Sequence, residues 1–404
     1  MTETEPDLTE FEHEFSLWLE SNKPEDPGYR LPETFMEVST DAQFHFLSAW
    51  QKKVAAAGFI GVSWPRDYGG RGLPQDFQRV VDSELRRQRA PIVMNTIGLN
   101  WAGPLILDIG SETQKRKFAE RILTGEDIWC QGFSEPGAGS DLANISTRAV
   151  RDGKGWRVNG SKIWTTLANY ADYMILLTQG EGRNARYKGM NFFLMPMDLS
   201  GVEIQPIRKM TGEYGFCQVF LNDVYLPEDC LIGAEGDGWQ VAMRTLTYER
   251  QVAGGQGCGH GGNFMVGAHL VDAARKSRYG GIPALKDPII RDKLVDILIE
   301  EQANLLSDER MKVPALIGDH PETIPLSKKL RLSEWRQRAQ RLGVELQGLD
   351  GALYLGDPDA LEDGAWQRGY FNTFASTIGG GPSQIQRNII GERALGLARD
   401  RKDV

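Results

Sequence analysis

Cysteine and histidine are scarce in this chain of 404 residues, and neither is spaced as metal ligands usually are. The five histidines are scattered, although His260 and His269 lie in a glycine-rich region. No Cys-x-x-Cys pair occurs, which argues against a zinc site or a disulfide framework and favours reduced thiols. The four cysteines are Cys130, Cys217, Cys230 and Cys258. We therefore predict no metal site.

Long apolar runs and an excess of basic residues are also absent. No stretch approaches the roughly 20 apolar residues that span a bilayer, so no transmembrane helix is predicted. The formal net charge of -9 argues against a general nucleic-acid-binding protein, because phosphate contacts need clustered Lys and Arg. Residues 1–15 are acidic and lack the character of a signal or transit peptide. These absences predict a cytoplasmic protein without a nucleic-acid partner.

The residues that are present change in pattern along the chain. Residues 1–128 carry apolar residues at three- and four-residue spacing, which predicts helices, the last of them capped by Gly125. Residues 129–238 predict short strands separated by Pro and Gly, as in a small antiparallel barrel. Residues 239–404 are again amphipathic and predict a helical bundle. We therefore expect an α+β fold of three domains with these bounds.

Particular elements can be predicted within each domain. Asn159-Gly160 is a strong hairpin signal and predicts two short strands over residues 156–164. Alternating or continuous apolar residues predict further strands over 173–177, 190–195 and 217–221. Amphipathic spacing predicts long C-terminal helices over 239–252, 262–278, 288–310, 325–346 and 383–397.

Residues 134–141 form the most informative motif, Ser-Glu-Pro-Gly-Ala-Gly-Ser-Asp. Its small residues and turn-forming centre allow backbone N–H groups to approach a ring or a phosphate, because glycine has no side chain to obstruct them. Taken alone, the motif is more typical of an ordinary loop that leads into a barrel. The residues around it decide between these interpretations.

The loop resembles the first signature of the acyl-CoA dehydrogenase family, and other segments match that family in the same order. They are Gly103-Pro104 with Gln114, residues 162–166, residues 233–239 and residues 382–387. The resemblance covers nearly the whole chain. It implies an N-terminal helical domain, a central antiparallel β-barrel and a C-terminal four-helix bundle.

The resemblance also implies that FAD lies extended between the barrel and the C-terminal helices. Gln131, Phe133 and Ser134 would hold the pyrimidine side of the flavin. Trp164 and Thr166 would face the ring, with the Thr166 hydroxyl near N5. The residues that match pyrophosphate and adenosine contacts, some of them made to a neighbouring subunit's FAD, are Arg275, Ser277, Glu345, Gly348, Pro382 and Gln384.

Without the family, two of these residues have simpler interpretations. Trp164 would be a buried barrel aromatic, and Arg275 would lie at a solvated helix end. The chain also departs from the family pattern at the adenosine end. Pro382 stands where a hydroxyl residue is usual, Glu345 replaces a common Gln and Leu349 replaces a common Gly. We expect FAD to bind with weaker adenosine contacts.

The catalytic base must be a carboxylate within reach of the α-proton of an acyl-CoA thioester. Many relatives carry this Glu where the present chain has Gly380. Isovaleryl-type and long-chain-type relatives place it instead at the position of Glu249. The resemblance therefore implies Glu249 as base and Gly380 as a backbone N–H donor to the thioester oxygen. Arg250 would lie beside the CoA thioester region, and Ser140 near the CoA.

Other hypotheses remain open at this point. Glu249 could be a surface residue paired with Arg250. The chain could also be a silent subunit of a heteromer, as among bacterial relatives that act on steroid side chains, and an acyl-CoA oxidase or a flavin monooxygenase is disfavoured. We expect an active dehydrogenase in a homotetramer or heterotetramer that forms a trans-2-enoyl-CoA and passes electrons to an electron-transfer flavoprotein. Gly380 together with a helix-borne base is associated with branched, long or bulky acyl groups.

Overall fold

The computed structural model describes residues 6–180, 187–253, 266–311, 313–317 and 323–398. The chain forms two compact units, Met1–Gly262 and Asn263–Val404. The first unit contains the N-terminal helices, the sheet and the helix that follows the sheet, and the described residues of the second form helices and one short β-ribbon. The three-domain bounds expected from the sequence, at residues 128 and 238, stay a prediction.

The N-terminal helices surround an aromatic core. Phe11, Phe15, Trp50 and Phe59 are buried there, and the ring of Phe11 meets that of Phe59 edge-on. A π-helical turn, Gly98–Ala102, leads directly into the fourth helix. The five α-helices are α1 Leu8–Asn22, α2 Asp41–Ala56, α3 Gln75–Arg87, α4 Gly103–Ile109 and α5 Glu112–Thr124.

Helix α5 shows how local sequence sets its own bounds. Ser111 and Gln114 form a capping box at its start, so two otherwise unpaired backbone N–H groups are satisfied. Gly125 ends the helix with φ of 72°, which confirms the predicted C-cap. The Gln114 amide also donates to the carbonyls of Asp229 and Leu231, at 3.0 and 2.8 Å. One side chain therefore caps the helix and ties it to the end of the sheet region.

Seven strands form one curled sheet in the order β1-β4-β2-β3-β7-β6, with β5 paired to β4. Three of the predicted strands correspond to β4, β5 and β7. Two pairings, β1 with β4 and β2 with β4, are parallel, whereas the sequence predicted an antiparallel barrel. The parallel pairs arise because the chain crosses over between these strands instead of turning in hairpins. The strands are β1 Trp129–Gly132, β2 Arg148–Asp152, β3 Gly155–Thr166, β4 Tyr173–Gln179, β5 Met190–Pro196, β6 Val202–Ile207 and β7 Phe216–Pro227.

The predicted hairpin at Asn159-Gly160 is wrong, because β3 runs through this position as a single strand. The pairing of β3 with β7 shifts between Val158 and Gly160, so the Asn-Gly pair forms a bulge. The hairpin turn lies earlier, at Gly153, where φ is 59° and β2 turns into β3. At Gly160 a Cβ atom would lie 2.4 Å from Thr147 Oγ1, so close backbone approach explains this glycine.

Helix α6, Gly238–Ala253, follows the sheet and belongs to the first unit. In the second unit, α9 packs against α7, α8 and α10 around the buried side chains of Leu294, Trp335 and Trp366. The sequence predicted α7, α8 and α9 but missed α10. The helices of this unit are α7 Val266–Lys276, α8 Pro288–Met311, α9 Thr323–Glu345, α10 Ala365–Ile378 and α11 Ser383–Ile389, and β8 Arg278–Tyr279 pairs with β9 Ile282–Pro283.

Within the described ranges, no helix is both long and apolar enough to cross a membrane. The same ranges bring together no cluster of three or more His, Cys, Asp or Glu side chains that could hold a metal ion. Cys130, Cys217 and Cys230 are buried free thiols. Cys258 and His260 lie outside the described residues.

Candidate functional site

The loop that follows β1 is fastened to β3. Gln131 is half-buried on β1, and Phe133 is buried with its ring edge-on to Phe192 at 5.6 Å. The Ile163 N–H donates to the Ser134 carbonyl at 2.9 Å. Ser134 is therefore bonded to the residue that precedes Trp164 in β3, while Gln131 lies on β1 opposite Ile175 of β4.

The glycines of this loop face open space. Glu135 and Ala138 exchange backbone hydrogen bonds of 2.9 and 3.0 Å, so residues 135–138 form a tight turn. A Cβ atom on Gly137 or Gly139 would meet no atom of the described residues within 4 Å. Ser140 is also exposed. The open face of the turn is therefore available to a ligand that approaches the backbone closely, as expected for a cofactor or CoA loop.

A buried ion pair lies beneath this turn, and sequence reasoning missed it. Lys162 Nζ lies 2.8 Å from Glu135 Oε1, with side chains 0% and 3% exposed. Lys162 Nζ also donates to the Phe133 carbonyl at 3.1 Å. The carboxylate of Glu135 further accepts hydrogen bonds from the backbone and hydroxyl of Ser146, at 2.6 and 2.7 Å, and from the Thr147 N–H at 2.9 Å. The only sequence signals were a Glu inside a run of small residues and a Lys inside a strand.

Both members of this pair are charged at neutral pH. Burial alone would raise the pKa of Glu135, but Lys162 and the hydrogen bonds from Thr147 and Ser146 outweigh it and hold the pKa at about 2. Burial lowers the pKa of Lys162 to about 8, and the neighbouring Glu135 carboxylate opposes that shift. The two buried charges therefore neutralise each other, and the Glu135 carboxylate accepts several further hydrogen bonds.

Trp164 stands at a second bulge of β3. The pairing with β7 shifts between Lys162 and Thr165, and Trp164 has φ of 61°, a strained value for a residue with a side chain. Its indole is 57% exposed and meets the Phe216 ring edge-on at 6.0 Å. The interpretation of Trp164 as a buried barrel aromatic is therefore wrong. Thr166, two residues further on, is only 8% exposed.

Helix α6 carries Glu249 and is held by an aspartate of α4. Asp108 Oδ2 accepts hydrogen bonds from Arg244 Nη1 at 2.6 Å and from the Tyr248 hydroxyl at 3.1 Å. Burial and the nearby Asp108 carboxylate raise the pKa of Tyr248 to about 12, so this hydroxyl stays a donor at ordinary pH. Glu249 is half-buried, and the side chain of Arg250 lies outside the described residues. The helix turn that presents Glu249 is thus fixed from one side.

Gly380 belongs to the second unit, in the loop between α10 and α11. It has φ of 62°, and Gly381 follows with φ of 89°, which favours glycine at both positions. The Gln386 amide donates to the Gly380 carbonyl at 3.0 Å, and Lys329 Nζ donates to the Gly381 carbonyl at 2.7 Å. Both carbonyls are engaged within this unit.

The residues predicted to contact the pyrophosphate and adenosine are spread over the second unit. Arg275 is paired with Asp272 at 2.7 Å, which fits its simpler interpretation as a solvated helix end. The Ser277 hydroxyl donates to the Ala273 carbonyl at 2.8 Å. Two further residues, Gly348 with φ of 60° and Gln384, are exposed.

The departures from the family pattern have visible consequences. Glu345 accepts from Lys293 Nζ at 2.5 Å and from the Tyr279 hydroxyl at 3.4 Å, so its carboxylate is engaged in its own unit. Leu349 is 95% exposed. Pro382 precedes α11 as its N-cap residue and makes no side-chain capping hydrogen bond. These positions therefore offer fewer donors than the family pattern would supply.

Three family models match segments of the chain between residues 31 and 395. The models of the acyl-CoA dehydrogenase N-terminal, middle and C-terminal domains match residues 31–126, 130–224 and 236–395. These three segments correspond to the N-terminal helices, the sheet, and the helices from α6 onward.

Individual relatives agree with the family models. Acyl-CoA dehydrogenase IpdE1 of Mycobacterium tuberculosis is 38% identical over 88% of this chain and 89% of its own. The solved structure of the Tcur3481-Tcur3483 steroid ACAD is similar with a TM-score of 0.81 and 27% identity, over 97% of this chain and 98% of that chain.

A second solved structure is that of the ChsE4-ChsE5 complex from Mycobacterium tuberculosis. It has a TM-score of 0.77 and 26% identity, over 99% of this chain and 100% of that chain. The architecture predicted from the sequence is thereby confirmed. The chain belongs to the acyl-CoA dehydrogenase family of flavin-dependent oxidoreductases, which act on CH–CH bonds.

Proposed function

We propose that this chain is an active acyl-CoA dehydrogenase that binds FAD and converts an acyl-CoA thioester to the trans-2-enoyl-CoA. The observation that carries the proposal is the bulge of β3, where Trp164 is held at positive φ with more than half of its surface exposed. A strained backbone and an exposed large aromatic both oppose stability, so a bound ring is the best reason for keeping them. FAD, when bound, supplies the hydride acceptor.

The residues of the first unit fit a flavin. The open turn at Gly137 and Gly139 allows close approach to the backbone, and Ser134 has its carbonyl fixed by β3. We propose that Gln131, Phe133 and Ser134 bind the pyrimidine side, and that Trp164 and Thr166 contact the ring. The contacts proposed for the rest of FAD, partly from a neighbouring subunit, are Arg275, Ser277, Glu345, Gly348, Pro382 and Gln384.

Glu249 is our proposed catalytic base. It would take the α-proton of the thioester as the hydride leaves the β-carbon, so that the two carbons finish joined by a double bond. Its half-buried setting on a helix held by Asp108 supports this role over that of a freely solvated surface carboxylate. Gly380 would donate its N–H to the thioester oxygen, Arg250 would lie beside the thioester, and Ser140 would contact the CoA.

The named relatives support a bulky acyl group and a second subunit. One similar structure is titled a steroid ACAD, and another is the ChsE4-ChsE5 complex. We propose that this chain works on a steroid-derived acyl-CoA in the cytoplasm of a bacterium, as one subunit of a heterotetramer, with an electron-transfer flavoprotein as electron acceptor. A homotetramer is the alternative assembly.

The test is anaerobic reduction of the bound flavin by acyl-CoA thioesters. The purified protein should show the flavin absorbance bands, and a steroid-derived acyl-CoA should bleach them faster than straight-chain thioesters do. Glu249→Gln should keep the bands and lose about 100-fold or more in the rate of bleaching, because a positioned base contributes about that much. Glu235→Gln removes an exposed carboxylate paired with Arg151 and serves as the control. Equal bleaching rates in Glu249→Gln and the wild type would remove the assignment of the base.

A further inference from the structure

The cation of Lys162 is enclosed between two loops of the first unit. Its Nζ contacts the Phe133 carbonyl on the loop after β1 and the Glu135 carboxylate in the same loop. The carboxylate is in turn held by Ser146 and Thr147, the two residues just before β2. The Lys162 cation thus joins β3 to the loop after β1 and, through Glu135, to the segment before β2.

Stability alone does not explain a fully enclosed ion pair. Desolvating two charges costs several kcal/mol, and well-packed apolar side chains in their place often leave stability unchanged or improve it. What apolar side chains cannot do is donate hydrogen bonds in fixed directions. The pair is therefore better explained by the geometry that it imposes on Phe133 and Ser134.

Consecutive residues of β3 hold consecutive residues of the loop. Lys162 binds the carbonyl of Phe133, and the next residue, Ile163, binds the carbonyl of Ser134. The residue after that is Trp164, at the strained bulge. The orientations of the Ser134 hydroxyl and the Trp164 ring thus depend on the same three residues of β3.

We propose that Lys162 and Glu135 are positioning residues, which hold the loop after β1 and the Trp164 bulge in the shape that receives the flavin ring. This inference rests on the proposed binding of FAD at the loop and the bulge. Neither side chain touches the cofactor in this scheme. They act on the loop through the hydrogen bond of Lys162 to the Phe133 carbonyl and through Glu135, the first residue of the turn 135–138.

The decisive variant removes both charges together. Lys162→Met alone leaves the Glu135 carboxylate buried with fewer donors, so that loss of folding could mimic loss of positioning. Lys162→Met with Glu135→Gln keeps an acceptor for Ser146 and Thr147 and is electrically neutral, so we expect it to fold. The expected result is a rise of about tenfold or more in the dissociation constant of FAD, since one hydrogen bond to a charged donor is lost from the loop.

Two readouts separate positioning from general stability. In the flavin-free protein, amide hydrogen exchange of residues 132–135 should be faster in the double variant, and in the loaded protein the flavin absorbance bands should shift. The control pair is Arg121→Met with Asp127→Asn, which removes a salt bridge with a buried carboxylate from the same unit. This control should leave both readouts as in the wild type.

The outcomes are distinct. Wild-type affinity for FAD and unchanged exchange in a folded double variant would overturn the positioning role. A double variant that does not fold would overturn it too, because the pair would then serve stability. If the wild type itself takes up no FAD but the double variant still exchanges faster at residues 132–135, the proposed function fails while the link between the pair and the loop stands.

Discussion

Glu37 lies in a short turn between α1 and α2 and is only 4% exposed. Its Oε2 accepts a hydrogen bond from the Glu33 N–H at 3.0 Å, and its other charged neighbours are Glu213 and Lys209. Burial, together with repulsion from the Glu33 and Glu213 carboxylates, raises the pKa of Glu37 to about 7. The Glu33 N–H and Lys209 act in the opposite direction but are weaker.

This raised pKa makes stability depend on pH. The folded state holds the Glu37 proton more tightly than the unfolded chain, so stability falls as pH rises from about 4.5 to about 7. Glu37→Gln should therefore be more stable than the wild type by about 3 kcal/mol at pH 8 and by only about 1 kcal/mol at pH 5. Thermal midpoints measured at both pH values test this, with Glu25→Gln as control, because Glu25 is exposed and is not among the charges that shift Glu37. An equal gain at both pH values would contradict it.

At the level of single residues, the sequence offered candidate positions but not the contacts between them. Ser134, Trp164 and Thr166 are candidates because they belong to motifs that resemble a family. Glu135 and Lys162 belong to the same motifs, but a Glu and a Lys that lie 27 positions apart carry no signal that they meet. Only the pairing of strands brings them together, and pairing is a property of the fold.

Single elements show how a turn signal can be overridden. Asn159-Gly160 would suit a two-residue hairpin, but the long pairing of β3 with β7 satisfies more backbone groups and absorbs the pair as a bulge. Helix α10 was missed for a related reason, since glycine usually breaks helices. A Cβ at Gly369 would lie 2.3 Å from Gln340 of α9, so this glycine permits close helix packing and does not end the helix.

The bulge at Gly160 should not tolerate a side chain. Gly160→Ala would place its Cβ 2.6 Å from the Thr147 Cα at φ of 150°, and Thr147 in turn binds Glu135. We expect a loss of about 1–3 kcal/mol in unfolding free energy together with weaker FAD binding. Urea unfolding and FAD titration test both effects.

Gly153→Ala is the matched control for this variant. It also has positive φ, 59°, but a Cβ there meets no described atom within 4 Å. It should cost about 1 kcal/mol or less and leave FAD binding unchanged. Similar FAD affinities in the two variants would contradict the prediction that the bulge at Gly160 affects FAD binding.

At the scale of the whole molecule, α8 has an apolar face that is exposed in the single chain. Val295, Ile299 and Leu306 are 51%, 60% and 65% exposed and follow helical spacing. An apolar strip of this kind is typical of a subunit interface. It accords with the tetramer expected from the family.

Charges on this face should therefore disrupt the assembly. Ile299→Lys combined with Leu306→Lys is expected to convert the purified protein to single chains of 45.1 kDa, as measured by light scattering after size exclusion. Leu17→Lys, on an exposed position of α1, should leave the assembly intact. A mass unaffected by the α8 substitutions would place the interface elsewhere.

Features of the whole molecule could be predicted where they depend on residue spacing within one element, and not where they depend on contacts between distant segments. The order of helices, strands and helices follows from hydrophobic spacing, because burial of one face sets that spacing within each element. The parallel pairs of β1 and β2 with β4 could not be predicted, since strand order depends on contacts between distant segments. The proposed approach of Glu249 to the substrate could not be predicted either, for the same reason.

The contrast between two ion pairs bears on how this enzyme would respond to salt. Ions in solution screen charges that water can reach, and the Asp108 and Arg244 side chains behind Glu249 are 40% and 54% exposed. The Glu135–Lys162 pair is buried, so salt screens its attraction much less. Concentrated salt would thus weaken the Asp108–Arg244 ion pair behind the proposed base, while the Glu135–Lys162 pair would still hold the loop that is proposed to bind the flavin.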